Sequence, residues 1–171
     1  MVWDILVNNV GTNIRKTWIE MSDEESAAVF ATNLHAPMEL CRALFPYLKK
    51  GNRSAVVNVS SVAARVDVGS GAAYAVSKAG LEQFTRVLAV EWASHGIRVN
   101  AVAPWYIRTP LAEPVINNPG RLARILERTP MGRVGEPKEI AAAIAFLAMD
   151  KASFVTGQCV VADGGFLSSG L

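Results

Sequence analysis

Ala55-Val56-Val57-Asn58-Val59-Ser60-Ser61 is a β-branched run closed by two hydroxyls. Ala73 to about Ala93 follows with helical periodicity, placing Val76, Gly80, Phe84, Val87 and Leu88 along one stripe. Ile97-Arg98-Val99-Asn100-Ala101-Val102 is a second β-branched run, stopped by Pro104. Strand, long helix and strand in this order make a βαβ unit, whose strands run parallel and whose crossover is right-handed.

The pattern extends in both directions. Upstream, Ile5-Leu6-Val7 reads as a short strand ending at Asn8-Asn9-Val10-Gly11. Ser22-Asp23-Glu24-Glu25 is a capping box, a hydroxyl N-cap with a carboxylate three residues on. It opens a helical pattern reaching about Leu48, with a kink expected at Pro37. Downstream, Pro137 suits a helix N1 position, with Glu139 in the first turn and Ile140, Ile144 and Leu147 on one face. Val160-Val161-Ala162 reads as the last strand, ending at Asp163-Gly164-Gly165. About four strands with flanking helices predict an α/β fold with a doubly wound, mostly parallel sheet. Ligands of such sheets bind beyond the carboxyl ends of the strands. Here those ends carry Asn8 to Gly11, Ser60-Ser61 and Pro104 to Thr109.

The 171 residues are 51% hydrophobic and 19% charged, enough apolar material for a packed core. The length predicts a single domain over 1–171. A formal charge of +2 with no basic run argues against nucleic acid or an anionic membrane as the main partner. Ile140 to Met149, the longest apolar run, falls short of the ~20 residues a bilayer requires. Met1-Val2-Trp3-Asp4 lacks the basic start of a secretory leader, so a cytoplasmic location is expected. Two cysteines, Cys41 and Cys159, are read as reduced thiols rather than a disulfide scaffold. Neither forms metal-ligand spacing with His35 or His95, so no metal is expected.

Tyr74 and Lys78 stand four apart on the predicted long helix, which puts both on one face. An ammonium ~4 Å from a phenol at an effective dielectric near 20 contributes about 4 kcal/mol. That is about three pKa units, enough to bring a phenol from its usual 10 to near 7 for acid–base work. Alone the pair is a weak signal, since a surface tyrosine beside a surface lysine is common. Ser61 ends the strand before that helix, where its hydroxyl could bind a substrate oxygen or simply cap a turn. Asn33 lies mid-helix against its propensity, which predicts a local polar network. Arg121, Arg124 and Arg128 form a basic stripe read as a solvated face. There is no G-x-S-x-G elbow and no phosphate-binding glycine fingerprint.

In order, the chain carries Asn8-Asn9-Val10-Gly11, Asn33, Ser60-Ser61, Tyr74-x-x-x-Lys78, Arg98 to Pro104, Thr109-Pro110 and Thr156-Gly157-Gln158 before Asp163-Gly164-Gly165. This ordered set, with Ser61 thirteen residues before Tyr74, resembles the short-chain dehydrogenase/reductase family along essentially the whole chain. Ala103 to Pro110, with Trp105 where most of the family has Gly, resembles its tropinone-reductase-like branch.

The resemblance implies a Rossmann-like fold and hydride transfer between NADP (or NAD) and a small carbonyl or alcohol substrate. It implies that Tyr74 protonates the carbonyl oxygen, Lys78 tunes the phenol and binds the nicotinamide ribose, and Ser61 holds that oxygen. Asn33 would keep a proton-relay water, and Asn9 and Gly11 would contact the adenosine-side ribose. Pro104, Ile107 and Thr109 would line the carboxamide and phosphate side, Asp163 would be structural, and Leu111 to about Met131 would form the variable lid. Family chains begin with three further strands and a glycine-rich phosphate loop, so this sequence corresponds to the C-terminal, catalytic part. Ile5 to Asn8 then becomes an exposed apolar edge strand. Without the preceding part, negligible NADPH consumption is expected. The alternative is a non-catalytic chain that joins relatives as an oligomer through the helices Ser22 to Leu48 and Ala73 to Ala93, or one that does not fold by itself.

Overall fold

The computed structural model describes residues 1–169. Strands β1 (Ile5–Asn8), β2 (Ala55–Val59), β3 (Arg98–Pro104) and β4 (Cys159–Ala162) form one parallel sheet in the order β1-β2-β3-β4. The register pairs Asn8 with Asn58, Asn58 with Ala101, and Pro104 with Ala162. β3 thus runs through Pro104 rather than stopping before it. Proline's missing N–H is tolerated at this last position of the strand.

Helices cover both faces. On one side α1 (Asp23–Phe30), α2 (Ala36–Leu48) and α3 (Ala72–Trp92) lie on the sheet, and Leu6, Cys41, Leu48, Val56, Leu88, Trp92 and Val99 form the core. On the other, α6 (Pro137–Ala148) packs Ile140 and Leu147 on Val57 and Val102. Between β3 and α6, the short helices α4 (Glu113–Ile116) and α5 (Pro119–Glu127) make a third cluster of Val115, Ile116, Ile125 and Val134. This is the segment expected to be the lid. Among the described residues β1 pairs only with β2, and its Ile5 and Val7 are 50% and 40% exposed, the apolar edge the sequence predicts.

The capping box forms as read: Ser22 Oγ accepts from the Glu25 N–H at 3.2 Å and Glu25 Oε2 from the Ser22 N–H at 3.0 Å. The expected kink at Pro37 takes another form. Residues Ala31–His35 make a π turn, in which the Ala36 N–H reaches the Ala31 carbonyl. Pro37 has no N–H for the Asn33 carbonyl, so the wider turn falls where the α-helical ladder is already broken.

The buried face of α3 also differs from the expected stripe. Val76 and Val87 are 56% and 42% exposed, whereas Ala73, Ser77, Leu81, Thr85, Leu88 and Trp92 are buried. Hydropathy misses this face because two hydroxyls belong to it. Thr85 donates to the Leu81 carbonyl at 2.8 Å and accepts from Asn58 Nδ2 at 2.9 Å. Asn58 in turn accepts from Asn8 Nδ2 at 2.8 Å, so a polar chain crosses the sheet under α3 and ends at the Asn8 Oδ1, which has no partner among the described residues.

Candidate active site

The carboxyl ends of β1, β2 and β3 and the first turns of α3 surround a cavity of about 980 Å³. Its walls include Asn9 and Gly11 after β1, Ser61 after β2, Tyr74 and Lys78 on α3, and Pro104, Ile107 and Thr109 after β3. Every residue expected to contact substrate or cofactor therefore lines one cavity. Asn33 does not line it. It is fully buried behind the wall.

Asn33 satisfies its expected network through the loop after β1. Its Oδ1 accepts from the Thr12 N–H at 2.8 Å, and its Nδ2 donates to the Thr12 carbonyl at 2.9 Å and to Ser77 Oγ at 3.2 Å. Asn33 thereby fixes Gly11-Thr12 against α3. A Cβ on Gly11 would stand 3.4 Å from Lys78 Nζ and 3.5 Å from Asn33 Oδ1, so glycine keeps the space before the lysine open.

Ser61 Oγ caps the next turn, accepting from the Ala63 N–H at 3.2 Å, and stands near enough to the Tyr74 phenol to favour its ionised form. The cap is the reading of this serine that the hydrogen bonds show. Ser60 faces the other way: its hydroxyl lies 3.2 Å from the Lys78 carbonyl and from Glu82 Oε1. Glu82 is buried beside Arg65 Nε at 3.3 Å and Cys159 Sγ at 3.3 Å, and it helps push that thiol up to about 12, mostly an effect of burial. This cluster braces the end of β2 against α3 and β4.

The electrostatics correct one expectation. Lys78 Nζ donates to the Val59 carbonyl at 2.8 Å and lies 5.8 Å from the centroid of the Tyr74 ring. Burial raises the phenol above its usual range, and the nearby Ser61 hydroxyl and the Arg15 charge only partly oppose this. Burial also pulls Lys78 down to about 8. The spacing puts both groups on one face but does not choose the lysine's hydrogen-bond partner.

A stability prediction follows from Lys78. Below pH 8 both folded and unfolded chains hold its proton, and the burial penalty is present in full. Between about 8 and the ordinary 10.5 the folded chain sheds that proton while the unfolded chain keeps it, so stability rises with pH. The buried thiols act oppositely over the same window, since Cys41 and Cys159 are raised to about 11 and about 12 and keep protons the unfolded chain sheds, so between pH 7.5 and 9.5 the urea midpoint of the parent chain is expected to stay nearly level while that of Lys78→Met falls.

The sequence reading passed over Asn13, Arg15, Val68, Ser70 and Tyr106, which line the same cavity. They come from loops, where no periodicity marks a buried side. Tyr106 packs edge-on to Trp105, with ring centroids 4.6 Å apart. Trp105 in turn stacks on Phe166 at 3.9 Å and donates from Nε1 to Thr129 Oγ1 at 3.0 Å. Trp105 thus ties the end of β3 to the segment after α5 and to the C-terminal turn. Arg128 of the basic stripe lies 5.1 Å over the Phe166 ring rather than wholly in solvent. Asp163 accepts from the Gly165 and Leu167 N–H groups at 2.9 and 2.7 Å, a structural role.

A parallel α/β sheet with a tyrosine, lysine and serine at the carboxyl end of its central strands defines a class, and comparison with known proteins agrees with it. A family model described as enoyl-(acyl carrier protein) reductase matches residues 2–167. A tropinone reductase homolog of Arabidopsis thaliana is 46% identical over 98% of this chain, and one of Datura stramonium is 38% identical over 98%. The chain belongs to the short-chain dehydrogenase/reductase family, in its tropinone-reductase-like branch. A crystal structure of a gluconate 5-dehydrogenase from Burkholderia cenocepacia, in complex with NADP and tartrate, superposes with a TM-score of 0.95 at 29% identity, covering 98% of this chain and 66% of that one. The chain spans 63% of the length of both plant relatives.

Proposed function

We propose that residues 1–171 act as a single domain, the catalytic part of an NADP- or NAD-dependent reductase for small carbonyl or alcohol substrates in the cytoplasm. The observation that carries this reading is the convergence of Ser61, Tyr74 and Lys78 on one cavity, with Asn33 holding the loop beside them. A bound nicotinamide supplies the hydride. Gly11 leaves room for a ligand in front of Lys78, and no carboxylate lines the cavity among the described residues, so the walls suit an anionic dinucleotide.

The chain's own residues handle the oxygen and its proton. Burial keeps the Tyr74 phenol protonated at neutral pH, the state required to donate when a carbonyl is reduced. Ser61 hydrogen-bonds the same oxygen. Lys78, pulled to about 8, is poised to exchange a proton near neutrality and to bind ribose hydroxyls. Asn33 positions Thr12 and Ser77 and supports a proton-relay water. Asn9 and Gly11 take the adenosine-side ribose, and Pro104, Ile107 and Thr109 the carboxamide and phosphate side.

The test is a thermal melt with and without NADPH and NADH. A ligand at a hundred times its dissociation constant adds about 2.7 kcal/mol, or about 5–11 °C for a chain of this size. A cooperative transition that moves upward with either nucleotide is expected. A transition that ignores both at millimolar concentration would count against the reading.

A second reading, association with copies or relatives, rests on α3, where Val76, Val87 and Val90 are 56%, 42% and 80% exposed. On α2, Leu40 and Tyr47 are also exposed. This reading is compatible with catalysis.

A further inference from the structure

We propose that Arg15 and Ser70 form a carboxylate subsite beside Tyr74, so that the substrate is a carbonyl compound bearing a carboxylate. The inference rests on the reductase reading and names its substrate class. Both residues line the cavity that holds Tyr74 and Ser61. They come from two loops packed together: a Cβ on Gly71 would meet the Lys16 carbonyl at 2.9 Å and the Ile14 carbonyl at 3.6 Å. The residue before Gly71 and the residue between Ile14 and Lys16 therefore rise from neighbouring backbone.

Arg15 is exposed at the rim of the cavity and differs from the buried or bridging arginines. Arg98 is spent on backbone carbonyls, Arg65 on Glu82, Arg108 on Glu136 and Arg133 on Glu139. Arg15 has no hydrogen bond or ion pair among the described residues, and Asp and Glu are absent from the described lining of the cavity. A guanidinium offers carboxylates two parallel donors, and an apolar wall strengthens that pairing. Its charge pulls the Tyr74 phenol down, and the two side chains line the same cavity.

Ser70 is the independent observation. It is 6% exposed, and its Oγ has no hydrogen-bond partner among the described residues. Buried hydroxyls are nearly always satisfied, so an orphan in a residue that lines the cavity points to a partner the chain itself does not supply, as does the orphan Asn13 Oδ1 of the same lining. A carboxylate held by Arg15 gives that hydroxyl an acceptor.

The probe pair is levulinate, a keto acid, and its methyl ester, titrated into the 171-residue chain by ligand-observed NMR. Levulinate is expected to bind about tenfold more tightly than the ester, and Arg15→Gln to remove that preference while leaving the ester unchanged. Ser70→Ala should weaken levulinate alone, by a smaller factor. Equal affinity of acid and ester would overturn the proposal. So would an Arg15→Gln chain that loses both equally, or one that loses NADPH while keeping levulinate. Binding does not require turnover. A preference for levulinate in a chain whose nucleotide response is absent would uphold the subsite and remove the reductase reading.

Discussion

Replacing Tyr74 by Phe is expected to slow carbonyl reduction by about 10²–10⁴-fold, the usual worth of a positioned general acid. The assay is NADPH oxidation with a small ketone, using this chain joined to the strands and glycine-rich loop that precede the matching segment in its family. The substitution keeps the ring in its buried place and removes only the hydroxyl near Ser61. Fold and nucleotide response should therefore survive, and the loss should fall on turnover rather than on the nucleotide-dependent melting shift. Retained turnover would assign the proton to another group. A lost melting shift would mean that the phenol holds the nucleotide instead of the substrate oxygen.

Arg98→Met is expected to be the most damaging substitution away from the cavity. Arg98 begins β3 and is 8% exposed. Its Nη1 donates to the Leu147 carbonyl at 2.7 Å and the Val155 carbonyl at 3.3 Å. Its Nη2 donates to the carbonyls of Ala148 and Met149 at 3.3 and 3.2 Å. One guanidinium thus caps the last carbonyls of α6, where a cation also meets the negative end of the helix dipole, and ties the following loop to the sheet. Methionine fills similar volume but leaves the Leu147 and Ala148 carbonyls unpaired, each costing about 1–3 kcal/mol where water cannot reach, while the Val155 and Met149 carbonyls keep the Asn100 amide and the Ala152 N–H. Partial hydration reduces the sum, so we expect a loss of about 3 kcal/mol and a melting midpoint lower by about 6–12 °C. Arg98→Lys should recover only part of it, because an ammonium cannot span four carbonyls. A midpoint within two degrees of the parent would show that the carbonyls find other donors.

Arg98 also shows what hydropathy patterns can and cannot reveal. The run Ile97 to Val102 is legible as a strand because β-branched residues dominate it, and Arg98 and Asn100 look like its solvated side. Both are buried. Asn100 donates to the Val155 carbonyl at 2.8 Å and accepts from the Gln158 N–H at 3.0 Å, so the two polar residues lock β3 to the segment leading into β4. Ser77 and Thr85 on α3 behave alike. Where polar side chains find partners inside, periodicity reports the wrong face, and only the fold supplies the partners.

Strand ends were legible for a different reason. Asn8 to Gly11, Ser60-Ser61 and Pro104 to Thr109 interrupt apolar runs with turn-forming residues. A parallel sheet then brings all three interruptions to one edge. The cavity lies there. Tyr74 and Lys78 follow from helical spacing, but the lysine's attachment to the Val59 carbonyl does not, because spacing fixes a face and not a rotamer. Arg15 and Ser70 were illegible altogether. They lie in loops far apart in sequence, whose backbones come together where Gly71 admits the Ile14 to Lys16 segment.

The central claim is that this cavity directs hydride to a carbonyl carbon while Tyr74 protonates its oxygen. Its most direct test uses NADPH deuterated at the transferable position, a small ketone, and mass spectrometry of the product alcohol. The account predicts one deuterium on the carbinol carbon with the extended chain and about 10²–10⁴-fold less labelled alcohol in the same time with its Tyr74→Phe form. Nucleotide consumed without deuterium in the alcohol, or labelled alcohol undiminished in Tyr74→Phe, would contradict it.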